Sequence, residues 1–143
     1  MKKNYGIVMK FYRLERWLYL HKFTILAKIV YRYIYLQFNC SIPYTTEIGK
    51  NVEIAHGIGI VLHQYSKIGE GTIIYQNVTL GNGMGPKVGK NCIIGTGACL
   101  LGNIKIGDNV KIGANSVVLN DVPDNCTVVG IPARIIKSKG NKI

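Results

Sequence analysis

Between Ile48 and Val118 an aliphatic side chain recurs at every sixth residue, a rhythm that few chain geometries can use. The phase runs Ile48, Ile54, Ile60, then Ile68, Ile74, Leu80, then Val88, Ile94, Leu100, Ile106, Ile112 and Val118. Slips of two residues, read after Ile60 and after Leu80, are its interruptions. Glycine directly follows at Gly49, Gly69, Gly81, Gly89, Gly95, Gly107 and Gly113. A small or β-branched residue comes four positions on, at Val52, Thr72, Val78, Cys92, Ala98, Ile104, Val110 and Ser116. A helix needs apolar spacing near three and four, and a lone amphipathic strand needs strict alternation. Six residues make one short strand and one turn of a parallel β-helix. The expected fold class is therefore all-β: a solenoid of hexapeptide repeats.

At 143 residues the chain holds one such domain and an appendage. Residues 1–40 form that appendage, a basic, aromatic helical segment. Residues 41–137 form the solenoid, and 138–143 a frayed polar tail. Helix is expected over 4–38, from the spacing of Phe11, Leu14 and Leu18, then Ile25, Ile29, Tyr33 and Leu36. A break falls near His21–Thr24, with Thr24 as the cap of a second helix. Thr127–Ile136 reads as a last strand with a turn at Gly130–Pro132.

The formal charge is +11, and its larger share lies in residues 1–39, where eight cations face Glu15 alone. Such a segment either caps the open end of the solenoid or lies on an anionic membrane surface. Its cations alternate with apolar residues and match no nucleic-acid-binding module, so nucleic acid is not an expected partner. Cys40, Cys92, Cys99 and Cys126 have neither CxxC nor Cys/His ligand spacing, which favours a reducing cytoplasm. A zinc hydrase on the same solenoid would need three converging ligands. The repeat offers His56 and His63 alone, so no metal is expected.

The stretch IAHGIGIVLHQYSKIGEGTIIYQNVTLGN resembles the acyltransferase core of the serine O-acetyltransferases, hexapeptide-repeat proteins with a left-handed β-helix. PKVGKNCIIGTGACLLGNIKIGDNVKIGANSVVLNDVP and VVGIPARII continue the resemblance, which covers about residues 42–137. It implies acetyl-CoA as donor, a homotrimer, and active sites in clefts between adjacent prisms. His56 stands where the family has its general base. A hydroxyl is a poor nucleophile at neutral pH, and an imidazole can take its proton as it attacks a thioester. Backbone amides at the glycine-rich turns are candidates for holding the oxyanion.

Thr96 and Ala114 resemble coenzyme-contacting positions, and Arg134 and Lys137 are candidate partners for coenzyme phosphates. Ala55, Gln76 and Gly85 fall at acceptor-facing positions. His63 could line the same cleft, although a solvated loop histidine is the simpler reading. GNGMG at 81–85 follows a strand without a helix after it, so it reads as a mobile loop lining the cleft, not a dinucleotide fingerprint.

The resemblance has gaps. The family carries an Asp before its catalytic His, a basic pair after the glycine loop, and an Asp that orients the imidazole. Here those positions are Ala55, then Met84 and Gly85, and Ser41. The family's long N-terminal helical domain is expected to be absent, replaced by forty basic, aromatic residues. An amino-acid acceptor needs charged partners. The expected acceptor is therefore a hydroxyl of a sugar, such as a surface-polysaccharide precursor, with L-serine as the alternative. A non-catalytic trimeric scaffold is the rival from another class. The expected location is the cytoplasm, or the inner membrane surface if residues 1–39 bind lipid.

Overall fold

The computed structural model describes residues 6–143. The expected helical start at residue 4, Tyr5 and the cations Lys2 and Lys3 lie outside the described residues. Each coil of the solenoid gives one short strand to each of three faces. The first face holds β1 (Glu47–Ile48), β4 (Lys67–Ile68), β7 (Lys87–Val88) and β10 (Lys105–Ile106). The second holds β2 (Glu53–Ile54), β5 (Ile73–Ile74), β8 (Ile93–Ile94) and β11 (Lys111–Ile112). It is extended by β13 (Cys126–Gly130), β14 (Ala133–Ser138) and β15 (Asn141–Lys142). The third holds β3 (Val61–Leu62), β6 (Thr79–Gly81), β9 (Cys99–Leu101) and β12 (Val117–Val118). All coil-to-coil pairs are parallel and in register, such as Ile54 with Ile74 and Ile74 with Ile94. Among the described residues, only the β13–β14 and β14–β15 pairs are antiparallel, and they close the solenoid.

The hexad explains this shape. Its aliphatic residue points into the prism and is buried from Ile48 to Val118. The strand residue before it points outward, and on the first face it is Glu47, Lys67, Lys87 or Lys105. The residue two before the aliphatic one fills the corner. Where it is polar it is also buried, as with Thr46, Ser66, Thr72 and Ser116. Thr46 and Thr72 donate to the carbonyls of His63 and Gly89, both at 3.0 Å. Cys92 belongs to the same buried register, as packing predicts. The turns need left-handed backbone, and Asn supplies much of it: Asn51, Asn77, Asn91, Asn109, Asn115 and Asn125 have φ between 53° and 59°.

The first slip lies elsewhere than the hexad phase placed it. Leu62, not Ile60, is the inward strand residue of its coil, paired with Leu80. The two extra residues therefore sit in the turn before β3, between Ile54 and Leu62. Ile60 takes the corner register and is equally buried, so hydropathy alone could not separate the two.

Helices α1 (Ile7–Leu20) and α2 (Thr24–Phe38) break where the sequence placed the break. Thr24 is the first residue of α2 and not its cap. Phe23 holds the cap position without a capping side chain. Backbone bonds close the turn instead, from Lys22 N to Tyr19 O (3.0 Å) and Phe23 N to Leu18 O (2.8 Å). The tail also departs from fraying, since β15 pairs with β14.

Helix α1 lies over the unpaired edge of β1. Buried Tyr12 donates its hydroxyl hydrogen to Thr46 O and accepts from Ile48 N at 3.3 Å. Arg13 donates to Ile48 O (2.7 Å) and Gly49 O, and Arg16 to Tyr44 O (2.9 Å). These bonds satisfy edge groups that a solenoid end would otherwise leave open. Glu15 is fully buried on the same helix, and among the described residues neither carboxyl oxygen has a partner. Burial pushes its carboxyl up to about 9. Trp17 and Leu20 of α1, Phe23 of the turn, and Ile25, Leu26 and Ile29 of α2 are exposed.

Two stability predictions follow from the docked helix. Tyr12→Phe removes both edge bonds and should cost about 1–3 kcal/mol in denaturant unfolding. Glu15 is ionised in the unfolded chain above the ordinary carboxylate range but protonated in the fold up to about 9. Its contribution is therefore fully present below that ordinary range and is lost as pH rises toward 9. Glu15→Gln should flatten this decline and raise stability at pH 8 by about 2 kcal/mol. Melting curves of both proteins at pH 6 and 8 would check the sign.

Candidate active site

The turns joining the second face to the third stack into one edge of the prism. The first is Ala55–Gly59, holding the two inserted residues. Above it come residues 75–77, 95–97 and 113–115. Hydrogen bonds fix the column: Asn77 N donates to Ile58 O (3.0 Å), Gly97 N to Gln76 O (3.0 Å), and Asn115 N to Thr96 O (2.8 Å). His56, Gln76, Thr96 and Ala114 thus occupy successive levels of one edge. Their spacings of 20, 20 and 18 residues are coil repeats and carry no local signal.

His56 is exposed at the tip of the enlarged turn. Its ring lies 6.4 Å from that of Tyr75, centroid to centroid. Among the described residues, no hydrogen bond holds the imidazole. The turn is braced from below: a Cβ on Gly57, at φ +60, would lie 2.7 Å from Val8 Cγ2 of α1. The start of α1 and the end of α2 complete a cleft of about 490 Å³ against this turn. Ile7, Gln37, Phe38 and Asn39 share it with Ala55 and His56. Those helix-end residues lie outside the hexad phase, so no repeat pattern points to them.

The other expected positions divide. Gln76 is half-buried, and among the described residues its buried Oε1 has no hydrogen-bond partner. Ser41, at the position of the orienting Asp, is paired with the Tyr31 hydroxyl at 2.9 Å. Arg134 pairs with Val129 across the closing hairpin, next to the top of the His56 edge. Lys137 pairs with Thr127 and lines a separate cleft with Asn109, Lys111 and Asn125. The two cations do not converge within one chain. The amides of Asn77, Gly97 and Asn115 are spent on the column itself, which removes them as oxyanion donors.

Gly85 is absent from the His56 edge. It belongs to the loop 81–85 at the corner between the third and first faces, beside His63 and Ser66. The loop is tied by Gly85 N donating to Asn82 O (3.0 Å) and Met84 N to Asn103 Oδ1 (2.5 Å). Among the described residues, no group of three or more His, Cys, Asp or Glu could hold a metal. No described helix is long and apolar enough to cross a membrane.

Comparison with known proteins gives this geometry relatives. The six-repeat bacterial transferase hexapeptide model matches residues 85–120. A serine acetyltransferase of Synechococcus elongatus is 40% identical over 138 residues, 92% of this chain and 57% of its own length. One from Staphylococcus xylosus is 44% identical over 132 residues, 88% of this chain and 61% of its own length. The chain thus spans about three fifths of these curated relatives. A solved serine acetyltransferase in complex with CoA superposes with a TM-score of 0.85 at 40% identity, over 90% of this chain and 55% of that one. The Neisseria gonorrhoeae enzyme in complex with serine gives 0.86 at 34% identity, over 91% and 55%. The inward aliphatic ladder, the three parallel faces and these alignments show a left-handed β-helix of hexapeptide repeats that is similar, over this chain's length, to serine acetyltransferases.

Proposed function

We propose that this protein transfers the acetyl group of acetyl-CoA to a hydroxyl, with His56 as general base. The observation that carries this reading is the single edge on which His56, Gln76, Thr96 and Ala114 stack, open to solvent and flanked by a cleft. His56 takes the hydroxyl proton as the oxygen attacks the thioester carbonyl. It returns that proton to the departing sulfur when the tetrahedral adduct collapses. Thr96 and Ala114 are small enough for a pantetheine arm to run along the edge against the backbone. Arg134, beside the top of that edge, is the candidate phosphate partner, and Lys137 would reach the coenzyme only from another direction.

The protein works as a homotrimer in this reading, because neither an orienting partner for His56 nor the 81–85 loop is supplied to the His56 edge by its own chain. The acceptor is a neutral hydroxyl, such as that of a sugar in a surface-polysaccharide precursor. Ala55, Met84 and Gly85 leave no charged group where an amino-acid acceptor would use one. L-serine is the second reading, favoured by the activity named for the relatives. The location is the cytoplasm, with the exposed Trp17 and Phe23 beside Lys22 available for contact with anionic lipid.

His56→Ala should lower acetyl transfer at least ~100-fold while leaving the melting temperature within about 2 °C, as expected for an exposed side chain. Near-normal turnover would reject the assignment. Arg134→Ala should raise the KM for acetyl-CoA more than that for the acceptor. CoA release measured with L-serine beside a panel of sugars and nucleotide sugars ranks the two acceptor readings. A non-catalytic scaffold would show neither CoA release nor acetyl-CoA binding.

A further inference from the structure

We infer that the outward face of helix α2 is a docking surface for an anionic lipid bilayer, on which the helix lies in the plane of the headgroups. The inference rests on the lipid contact of the proposed reading and gives that contact a site. It does not depend on acetyl transfer.

The spacing that predicts α2 marks its exposed side, not its core side. Ile25, Ile29, Arg32 and Leu36 follow one another at steps of four, three and four residues, so they share one helix face. Ile25 is 76% exposed, Ile29 59% and Leu36 70%. Each of the four lies two residues from Ala27 or Ile34, the buried positions of α2, and two residues are about half a turn. Ala27 and Ile34 thus serve the packed side, while a larger apolar stripe, about 16 Å long from Ile25 to Leu36, faces away from it. At the turn Trp17, Leu20 and Phe23 are exposed as well. The Trp17 ring stacks with Phe23 at 6.4 Å and with His21 at 4.3 Å. Single exposed apolar side chains are common, but a contiguous run along a helix marks an interaction site.

Charge decides which partner fits. Residues 6–46 contain Lys10, Arg13, Arg16, Lys22, Lys28 and Arg32, and their one acid, Glu15, is buried. Arg13 and Arg16 are bonded to the first coil. Lys10, Lys22, Lys28 and Arg32 are exposed, and among the described residues none of them has a carboxylate partner. Arg32 sits within the apolar stripe, its guanidinium 5.7 Å from the centre of the Tyr35 ring. A second copy of the chain would meet this face with the same face, setting cation against cation with no acid to offset them. An anionic bilayer satisfies both features. The aliphatic side chains and Trp17 enter the acyl boundary, and the cations meet headgroup charge. Leu36 is followed by Gln37, Phe38 and Asn39, which wall the His56 cleft, so docking brings that cleft to the headgroup layer.

Trp17 is the single tryptophan of the chain, so its emission reports docking. The full chain should bind vesicles of phosphatidylcholine mixed with phosphatidylglycerol, with a blue shift of that emission. It should bind pure phosphatidylcholine vesicles at least ~tenfold more weakly, and added salt should weaken the anionic binding. Ile29→Glu and Arg32→Glu should each reduce that binding about tenfold or more. Their melting temperatures should stay within about 2 °C of the parent, as for exposed side chains. No binding to the anionic vesicles, equal binding to both compositions, or unchanged binding of either variant would overturn the inference. So would a fall in the oligomeric mass of Ile29→Glu without lipid, which would assign the face to a second copy. Failure of the acetyl-transfer reading looks different: the protein would release no CoA with any acceptor, yet still bind the anionic vesicles.

Discussion

Every coil of this protein depends on the one below it. A coil is a single strand thick, so its inward aliphatic residues and its backbone amides find partners only in the adjacent levels. The in-register pairing of Ile54, Ile74 and Ile94 shows the result: like stacks on like, and the ladder repeats. The turns inherit this register, because a turn that drifted would break the hydrogen bonds of Asn77, Gly97 and Asn115 to the level beneath. The candidate active site is thus a property of stacking, since its residues share an edge and not a sequence neighbourhood.

The same dependence makes the ends costly. At the first end, helix α1 supplies Tyr12, Arg13 and Arg16 to the backbone of the opening coil. At the other, β14 folds back on β13. The helix serves two purposes, for Val8 supports the turn that carries His56 and the helix ends wall its cleft. Burying Glu15 is a conflict within the cap, since among the described residues neither of its carboxyl oxygens has a partner.

Insertions are where this regular frame departs from itself. The two extra residues before Leu62 enlarge the turn that exposes His56, and those before Val88 form the 81–85 loop. Both lie at corners, where added length leaves the strand ladder intact. In the proposed mechanism these are the two places that meet substrate, which is how a structural repeat acquires chemistry without losing its core.

The hexad phase was enough to determine the solenoid and the buried register of Cys92, and the three/four spacing of residues 11–36 located the break between the helices, because periodicity fixes which side chains face inward. It misplaced the first insertion, since Ile60 and Leu62 are both aliphatic and both buried. His56 stood out only through resemblance, as a lone histidine has no local signature. That Gln76, Thr96 and Ala114 share its edge follows from coils of 20 and 18 residues closing in space. That Gly85 and His63 occupy another corner, and that the helix ends wall the cleft, was decided by tertiary packing alone. Contacts between levels and between helix and coil join residues that no spacing along the chain relates.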